Sequence, residues 1–92
     1  MSMLARFAPA SPTTPQQYDE VTRRLEAEGI WPPDGLEYHC AFLVDGNLRV
    51  SEIWDSREQF DAFGQRLMPV LADAGVDPGQ PETFEIHNVV KR

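Results

Sequence analysis

The sequence has one cysteine and no long apolar run. With Cys40 as the single cysteine, an intrachain disulfide and a CxxC metal pair are both excluded. No stretch approaches the roughly 20 apolar residues of a membrane span, and the opening residues hold no apolar run like that of a signal peptide. We therefore expect a cytoplasmic protein with no membrane segment.

Positive charge is also scarce. The 92 residues include 15 acidic and 8 basic side chains, which gives a formal net charge of −7 at neutral pH. The basic residues are scattered, so no stripe of lysine and arginine is available to displace the counterions of a nucleic-acid backbone. An acidic surface also disfavours binding to anionic membranes. We expect neither nucleic acid nor membrane as a partner.

The length predicts a single domain over residues 1–92. A domain of this size buries only about 60–65% of the surface that its unfolded chain exposes. Covering one more face with a second copy would add to that burial. Size alone therefore favours a homodimer.

Apolar spacing and turn residues predict the element order β-α-β-β-α-β. Strands are expected at residues 3–7, 36–44, 48–54 and 82–90. Thr14 and Ser56 are the expected helix N-caps, and Asp45-Gly46-Asn47 is the expected hairpin turn. Gly64 and Pro69 predict that the second helix bends or restarts near Met68.

Alternation of residues along the strands assigns side chains to the two faces of the sheet. In the second strand, we expect one set to pack against the helices: Tyr38, Cys40 and Phe42. The opposite set, which includes His39, then faces away from the helices. In the last strand, Phe84 and Ile86 would pack against the helices, so His87 would also face away.

Two other families with this topology do not fit the residues. RNA-recognition domains need aromatic patches on the central strands and a basic surface, and metal-carrying domains need a CxxC after the first strand. Residues 50–63, VSEIWDSREQFDAF, resemble instead the E-x-W-x-[S/D]-x-E-x-[F/A] signature of antibiotic biosynthesis monooxygenase (ABM)-like domains. Residues 33–39, 53–56 and 87–90 resemble short, uncharacterised actinobacterial proteins of that superfamily. The resemblance implies a ferredoxin-like α+β domain with an antiparallel four-stranded sheet, which forms a dimeric α+β barrel around a closed interior.

His39 is the candidate catalytic residue. On the face that would line the barrel, an imidazole can accept a proton near neutral pH. The alternative is a histidine that is hydrogen-bonded to a neighbouring strand or across the dimer interface. His87 is a candidate substrate-binding residue, with a role in the dimer interface as its alternative.

Glu52 and Trp54 share one face of the third strand, and the pattern does not decide whether that face meets the helices. The resemblance implies that Trp54 lines the cavity and stacks on an aromatic substrate, with Glu52 beside it. Alternatively, Trp54 fills the core, and a Glu52 buried against the helices would need a partner such as Arg6 or Arg49. No HxH or HxxxH spacing occurs, so we expect neither a metal nor another cofactor.

The resemblance implies a cofactor-independent monooxygenase, or a related cyclase or isomerase, that acts on a small aromatic or polyketide-like compound in the barrel. His39 would remove a proton from a phenol or an enol, and the electron-rich product would react directly with oxygen. The alternative is a homodimer that binds a ligand or assists another enzyme without catalysis. A purely structural dimer also fits the sequence.

Overall fold

A computed structural model describes residues 2–92. The elements follow the order β1 (Met3–Phe7), α1 (Pro15–Ala27), β2 (Leu36–Val44), β3 (Asn47–Trp54), α2 (Arg57–Asp73) and β4 (Glu82–Glu85). The strands form one antiparallel sheet in the spatial order β2-β3-β1-β4. The predicted ferredoxin-like α+β fold is confirmed. No helix among these residues is both long and apolar enough to cross a bilayer.

Local sequence signals begin and join the elements as predicted. The Thr14 hydroxyl accepts a hydrogen bond from the Gln17 backbone N–H, and the Gln17 side chain accepts one from the Thr14 N–H, which completes a capping box. The Ser56 hydroxyl caps α2 in the same way by accepting from the Gln59 N–H. Asp45 and Gly46 both have positive φ, 52° and 80°, as a two-residue type I′ hairpin turn requires.

One helix prediction and one strand boundary are revised. The second helix does not restart near Met68 but continues through Pro69, which lies on the exposed side, where water can satisfy the carbonyl that loses its N–H partner. The last strand ends at Glu85 instead of residue 90, because its partner is short. Met3 to Arg6 of β1 pair with Glu85 to Glu82, and little of β1 remains to pair beyond that point.

The predicted faces of β2 are wrong, and a backbone irregularity explains the error. Leu36 pairs with Trp54 of β3, but Tyr38 pairs with the adjacent Ile53, so Glu37 is an extra residue in β2. Such a bulge reverses the direction of every side chain that follows it. Leu36 packs against the core, whereas Tyr38 is 49% exposed on the side away from the helices. His39 therefore points toward the helices.

The core lies between the sheet and the two helices. It unites residues from β1, β3, both helices and the loop after α1: Met3, Ala5, Val21, Leu25, Ile30, Trp54, Phe63, Val70 and Leu71. Trp54 and Ala5 have no exposed surface. Phe84 was expected on this side, but it pairs with Leu4 on the opposite face and is 45% exposed.

The face of the sheet that carries no helix is apolar at its centre. One row crosses all four strands through the pairs of Phe84 with Leu4, Leu4 with Ile53, and Ile53 with Tyr38. We call this row of four side chains the outer row. Soluble domains rarely leave a contiguous apolar surface of this kind uncovered.

Candidate active site

Three polar side chains form a hydrogen-bonded chain between the sheet and α1. His39 of β2 lies with Nδ1 2.6 Å from Oε2 of Glu52 on β3. The other ring nitrogen of His39, Nε2, is 2.6 Å from the hydroxyl of Tyr18 on α1. The remaining oxygen of Glu52, Oε1, accepts a 3.0 Å hydrogen bond from Nε1–H of Trp54. We call Tyr18, His39 and Glu52 the relay.

The fold fixes this arrangement through strand register and helix position. His39 and Glu52 are directly paired across β2 and β3, so both side chains leave the sheet on the helix side. Trp54 lies two residues after Glu52 and shares its face. Tyr18 stands in the first turns of α1, after the capping box has set where the helix begins.

The direction of each hydrogen bond in the relay follows from which atoms can donate and which can only accept. A carboxylate at Glu52 can only accept, so Nδ1 of His39 carries a hydrogen that it donates to Glu52. In a neutral imidazole, Nε2 is then unprotonated and accepts the hydroxyl hydrogen of Tyr18. In an imidazolium, Nε2–H donates to the Tyr18 oxygen instead. The relay can therefore hold one additional proton without losing a hydrogen bond.

The relay is shielded from water. The side chain of Glu52 is only 7% exposed and that of His39 only 17%. The rings of Trp31 and His39 meet in a T-shaped contact with centroids 4.9 Å apart, and the Tyr18 ring stacks on the His39 ring at 5.8 Å. Within residues 2–92, no buried side-chain nitrogen or oxygen lacks a hydrogen-bond partner. Such a satisfied network holds its members in one geometry.

Burial also affects the acidity of the Tyr18 hydroxyl. Removal from water raises the pKa of Tyr18 above its usual value, and the negative charge of Glu52 raises it further. The phenol therefore stays protonated at neutral pH and can donate its hydrogen to His39.

The relay lies at the end of an apolar cleft between the sheet and the helices. Its inner part, about 100 Å³, is bordered by Tyr18, Trp31, His39 and Glu52 together with aliphatic and aromatic side chains. Its outer part, about 300 Å³, extends along α2 toward the loop before β4. The two parts are adjacent, since they share six bordering residues: Phe7, Glu52, Phe63, Leu67, Leu71 and Pro78.

The structure brings together three of the four residues predicted from the sequence. His39 and Trp54 both bond to Glu52, whereas His87 is exposed beyond the end of β4. Trp54 is fully buried against Phe60 and Phe63 and reaches the relay through its indole N–H.

Two expectations about partners and faces are corrected by the strand register. Glu52 bonds to His39 and Trp54, and not to Arg6 or Arg49, since both arginines lie on the opposite face of the sheet. His39 lies between the sheet and the helices of its own chain, not on the outer face where the barrel interior was expected.

Sequence reasoning missed Tyr18 and Trp31, which enclose His39 on two sides. Tyr18 belongs to the apolar stripe of α1, and that periodicity indicates only a core position. Trp31 stands in a loop rich in turn residues, for which no periodic signal exists. Among residues 2–92, no group of three or more histidine, cysteine or acidic side chains is placed to hold a metal ion.

Comparisons with known proteins identify the fold. No protein-family model matches the chain, and no curated protein matches it. Among solved structures, SnoaB, a cofactor-independent oxygenase from Streptomyces nogalater, matches with a TM-score of 0.60 and 17% identity, over 99% of this chain and 96% of that chain. A protein assigned to the antibiotic biosynthesis monooxygenases from Deinococcus radiodurans has a TM-score of 0.60 and 14% identity, over 100% and 98% of the two chains. A further one from Chloroflexus aurantiacus has a TM-score of 0.58 and 14% identity, over 98% and 95%. The chain therefore has the fold of the antibiotic biosynthesis monooxygenases, as its sequence resemblance implies.

Proposed function

We propose that this chain, which has the fold of the antibiotic biosynthesis monooxygenases, is a cofactor-independent oxygenase for an uncharged hydroxyaromatic compound. The observation that supports the proposal is the relay itself, a buried carboxylate–imidazole–phenol chain that ends at an apolar cleft. His39 is the base, Glu52 stabilises it, and Tyr18 is the group that meets the substrate. The resemblance of SnoaB, itself a cofactor-independent oxygenase, adds weight at the level of the fold.

The relay offers a direct route for a proton. The substrate hydroxyl gives its proton to the Tyr18 oxygen while the hydrogen of Tyr18 moves to Nε2 of His39, which lies 2.6 Å away. Tyr18 is then again a neutral phenol, and His39 is an imidazolium. Glu52 stabilises this cation through the 2.6 Å contact at Nδ1, in the manner of the carboxylate in a catalytic triad. Positioned proton transfer of this kind contributes about 10²–10⁴-fold to a rate.

The oxidation follows from the electron-rich phenolate. The phenolate gives one electron to O₂, and the resulting radical and superoxide join at a ring carbon that carries hydrogen. The peroxide formed takes a proton, the ring carbon loses its hydrogen as a proton, and the O–O bond breaks to release water. The sum is one phenol and one O₂ converted to one quinone and one water. The apolar cleft favours this course by excluding bulk water from the intermediates.

The charges around the cleft indicate the kind of substrate. Among the described residues that border it, none is lysine or arginine, whereas Glu52 and Asp61 are acidic. An anionic substrate would meet a buried carboxylate without a compensating cation, which is costly. An uncharged aromatic compound is the substrate that these walls accept.

The apolar outer row supports a homodimer. Phe84 is 45% exposed and Tyr38 49% exposed in the single chain, and Phe42, farther along the same face of β2, is 36% exposed. A second copy that packs sheet against sheet would bury these side chains and complete the dimeric α+β barrel. Loss of apolar surface from water is the main driving force of such association.

Oxygen uptake tests the enzyme proposal. Purified protein is incubated with 1-naphthol or 2-anthrol as probes, and O₂ is followed with an electrode. We expect uptake above the uncatalysed rate, at least 100-fold lower in His39→Gln. The exposed His87 supplies the matched control, and His87→Gln should retain wild-type uptake. Binding of a probe without uptake would support the non-catalytic alternative, and the absence of both would contradict a ligand site in the cleft.

A further inference from the structure

Gly64 lies inside α2, where glycine has no evident structural purpose. The five glycines at positions 29, 35, 46, 75 and 79 have positive φ, which other residues rarely adopt. Gly64 is helical, and a Cβ added to it would meet no atom of the described residues within 4 Å. Glycine is among the least favourable residues in a helix interior. Neither the backbone nor the packing of the chain requires it.

Its position in the cleft supplies a reason. Gly64 borders the outer part of the cleft, one residue after Phe63, which borders both parts. The inner part, about 100 Å³, is smaller than the cavity of about 150 Å³ that holds benzene in an engineered protein. A single ring therefore already reaches the start of the adjacent outer part, of about 300 Å³, and each further ring of a ligand must lie deeper in it.

We propose that Gly64 is a specificity-determining residue that leaves the outer part of the cleft open for the distal rings of a ligand whose hydroxyl group reaches Tyr18. This inference rests on the proposed function, because it requires a ligand in the cleft. A side chain at position 64 would enter space that the chain itself does not use. Glycine lowers the stability of the helix, but it leaves that space open to a ligand.

A graded pair of variants, Gly64→Ala and Gly64→Leu, tests the inference by calorimetric binding of three hydroxyarenes of increasing length, phenol, 1-naphthol and 2-anthrol. We expect phenol affinity to change less than twofold, whereas 2-anthrol affinity falls at least tenfold in Gly64→Leu. The melting temperature of Gly64→Ala should rise by about 4–8 °C, since alanine is the better helix former. Ala72→Leu adds the same side chain at an exposed position of α2 outside the cleft, and it should bind all probes like the wild type.

The outcomes separate this inference from the proposed function. Equal binding of 2-anthrol by wild type and Gly64→Leu would overturn the role of Gly64 and leave the cleft as a ligand site. A lower melting temperature of Gly64→Ala would also overturn it, since glycine would then serve the fold. If the wild type binds none of the probes, the proposed function and this inference fail together.

Discussion

Replacement of Glu52 by leucine should destabilise the fold through the groups that the carboxylate leaves behind. The indole N–H of Trp54, which has no exposed surface, would lose its acceptor. His39 can move its hydrogen to Nε2 and donate to Tyr18, but Nδ1 then becomes a buried acceptor with no donor. Leucine is close to glutamate in size, so the change creates little cavity and isolates the loss of hydrogen bonds.

The magnitude follows from the count of unpaired groups. Each buried polar group without a partner costs about 1–3 kcal/mol, so the indole N–H and Nδ1 together cost about 2–6 kcal/mol. The apolar surface of leucine offsets part of this, which leaves an expected loss of about 3 kcal/mol. A domain of this length has a free energy of unfolding of about 5–14 kcal/mol. The melting temperature should then fall by about 12–24 °C.

Glu52→Gln is the matched control. Its amide oxygen can still accept from Trp54, and its NH₂ can donate to Nδ1 once the hydrogen of His39 moves to Nε2. The indole N–H and both ring nitrogens of His39 are then paired, and only the second amide hydrogen and the hydroxyl hydrogen of Tyr18 lack a partner in this chain, so the stability should change by much less than in Glu52→Leu, by about 1 kcal/mol. In that tautomer Nε2 is occupied and cannot accept a proton through Tyr18. Glu52→Gln should therefore fold well and lack activity.

Urea unfolding followed by circular dichroism measures both variants. The midpoint should decrease strongly for Glu52→Leu at an unchanged slope, whereas Glu52→Gln should unfold close to the wild type. Equal stability of wild type and Glu52→Leu would refute the reasoning, because it would mean that Trp54 and His39 do not depend on Glu52.

Three further expectations follow from the same contacts. Burial raises the pKa of Tyr18, so the tyrosine ionises at a lower pH in the unfolded chain than in the folded chain. The stability that is present below about pH 10 should therefore be lost above that pH. Tyr18→Phe should reduce this loss, as measured by urea titrations at about pH 9 and 11. Trp54→Phe leaves Oε1 of Glu52 without its donor and should cost about 1–3 kcal/mol in the same assay; full retention of stability would count against that hydrogen bond. Tyr38→Glu puts a charge in the outer row and should yield monomers in light scattering, whereas Met68→Glu, at a 51% exposed position on α2, should leave the dimer intact.

The sequence was sufficient for the element order because each element has its own local signal. Thr14 and Ser56 cap their helices, and Asp45 and Gly46 supply the positive φ values of the hairpin. The faces of β2 could not be obtained in this way. Both sides of the sheet carry apolar residues, so alternation alone does not tell which side packs against the helices, and the extra residue Glu37 reverses the pattern within the strand.

The site was predictable only as a set of residue types. His39 and Glu52 could be selected as titratable groups on neighbouring strands, but their direct pairing depends on a register that the hairpin sets. Tyr18 is 21 positions away from His39 in the chain, and its hydroxyl reaches the imidazole only through the packing of α1 on the sheet. No periodicity reports a hydrogen bond between elements that are distant in sequence.

The absorbance spectrum of 1-naphthol bound at neutral pH tests most directly whether the relay accepts a proton from a ligand. We predict that the wild type shifts the spectrum toward that of the naphtholate anion, because the proton passes through Tyr18 to His39. Glu52→Gln should bind the probe with the spectrum of neutral naphthol. A neutral spectrum in both proteins, with binding intact, would contradict the account and leave the cleft as a site that holds its ligand without activating it.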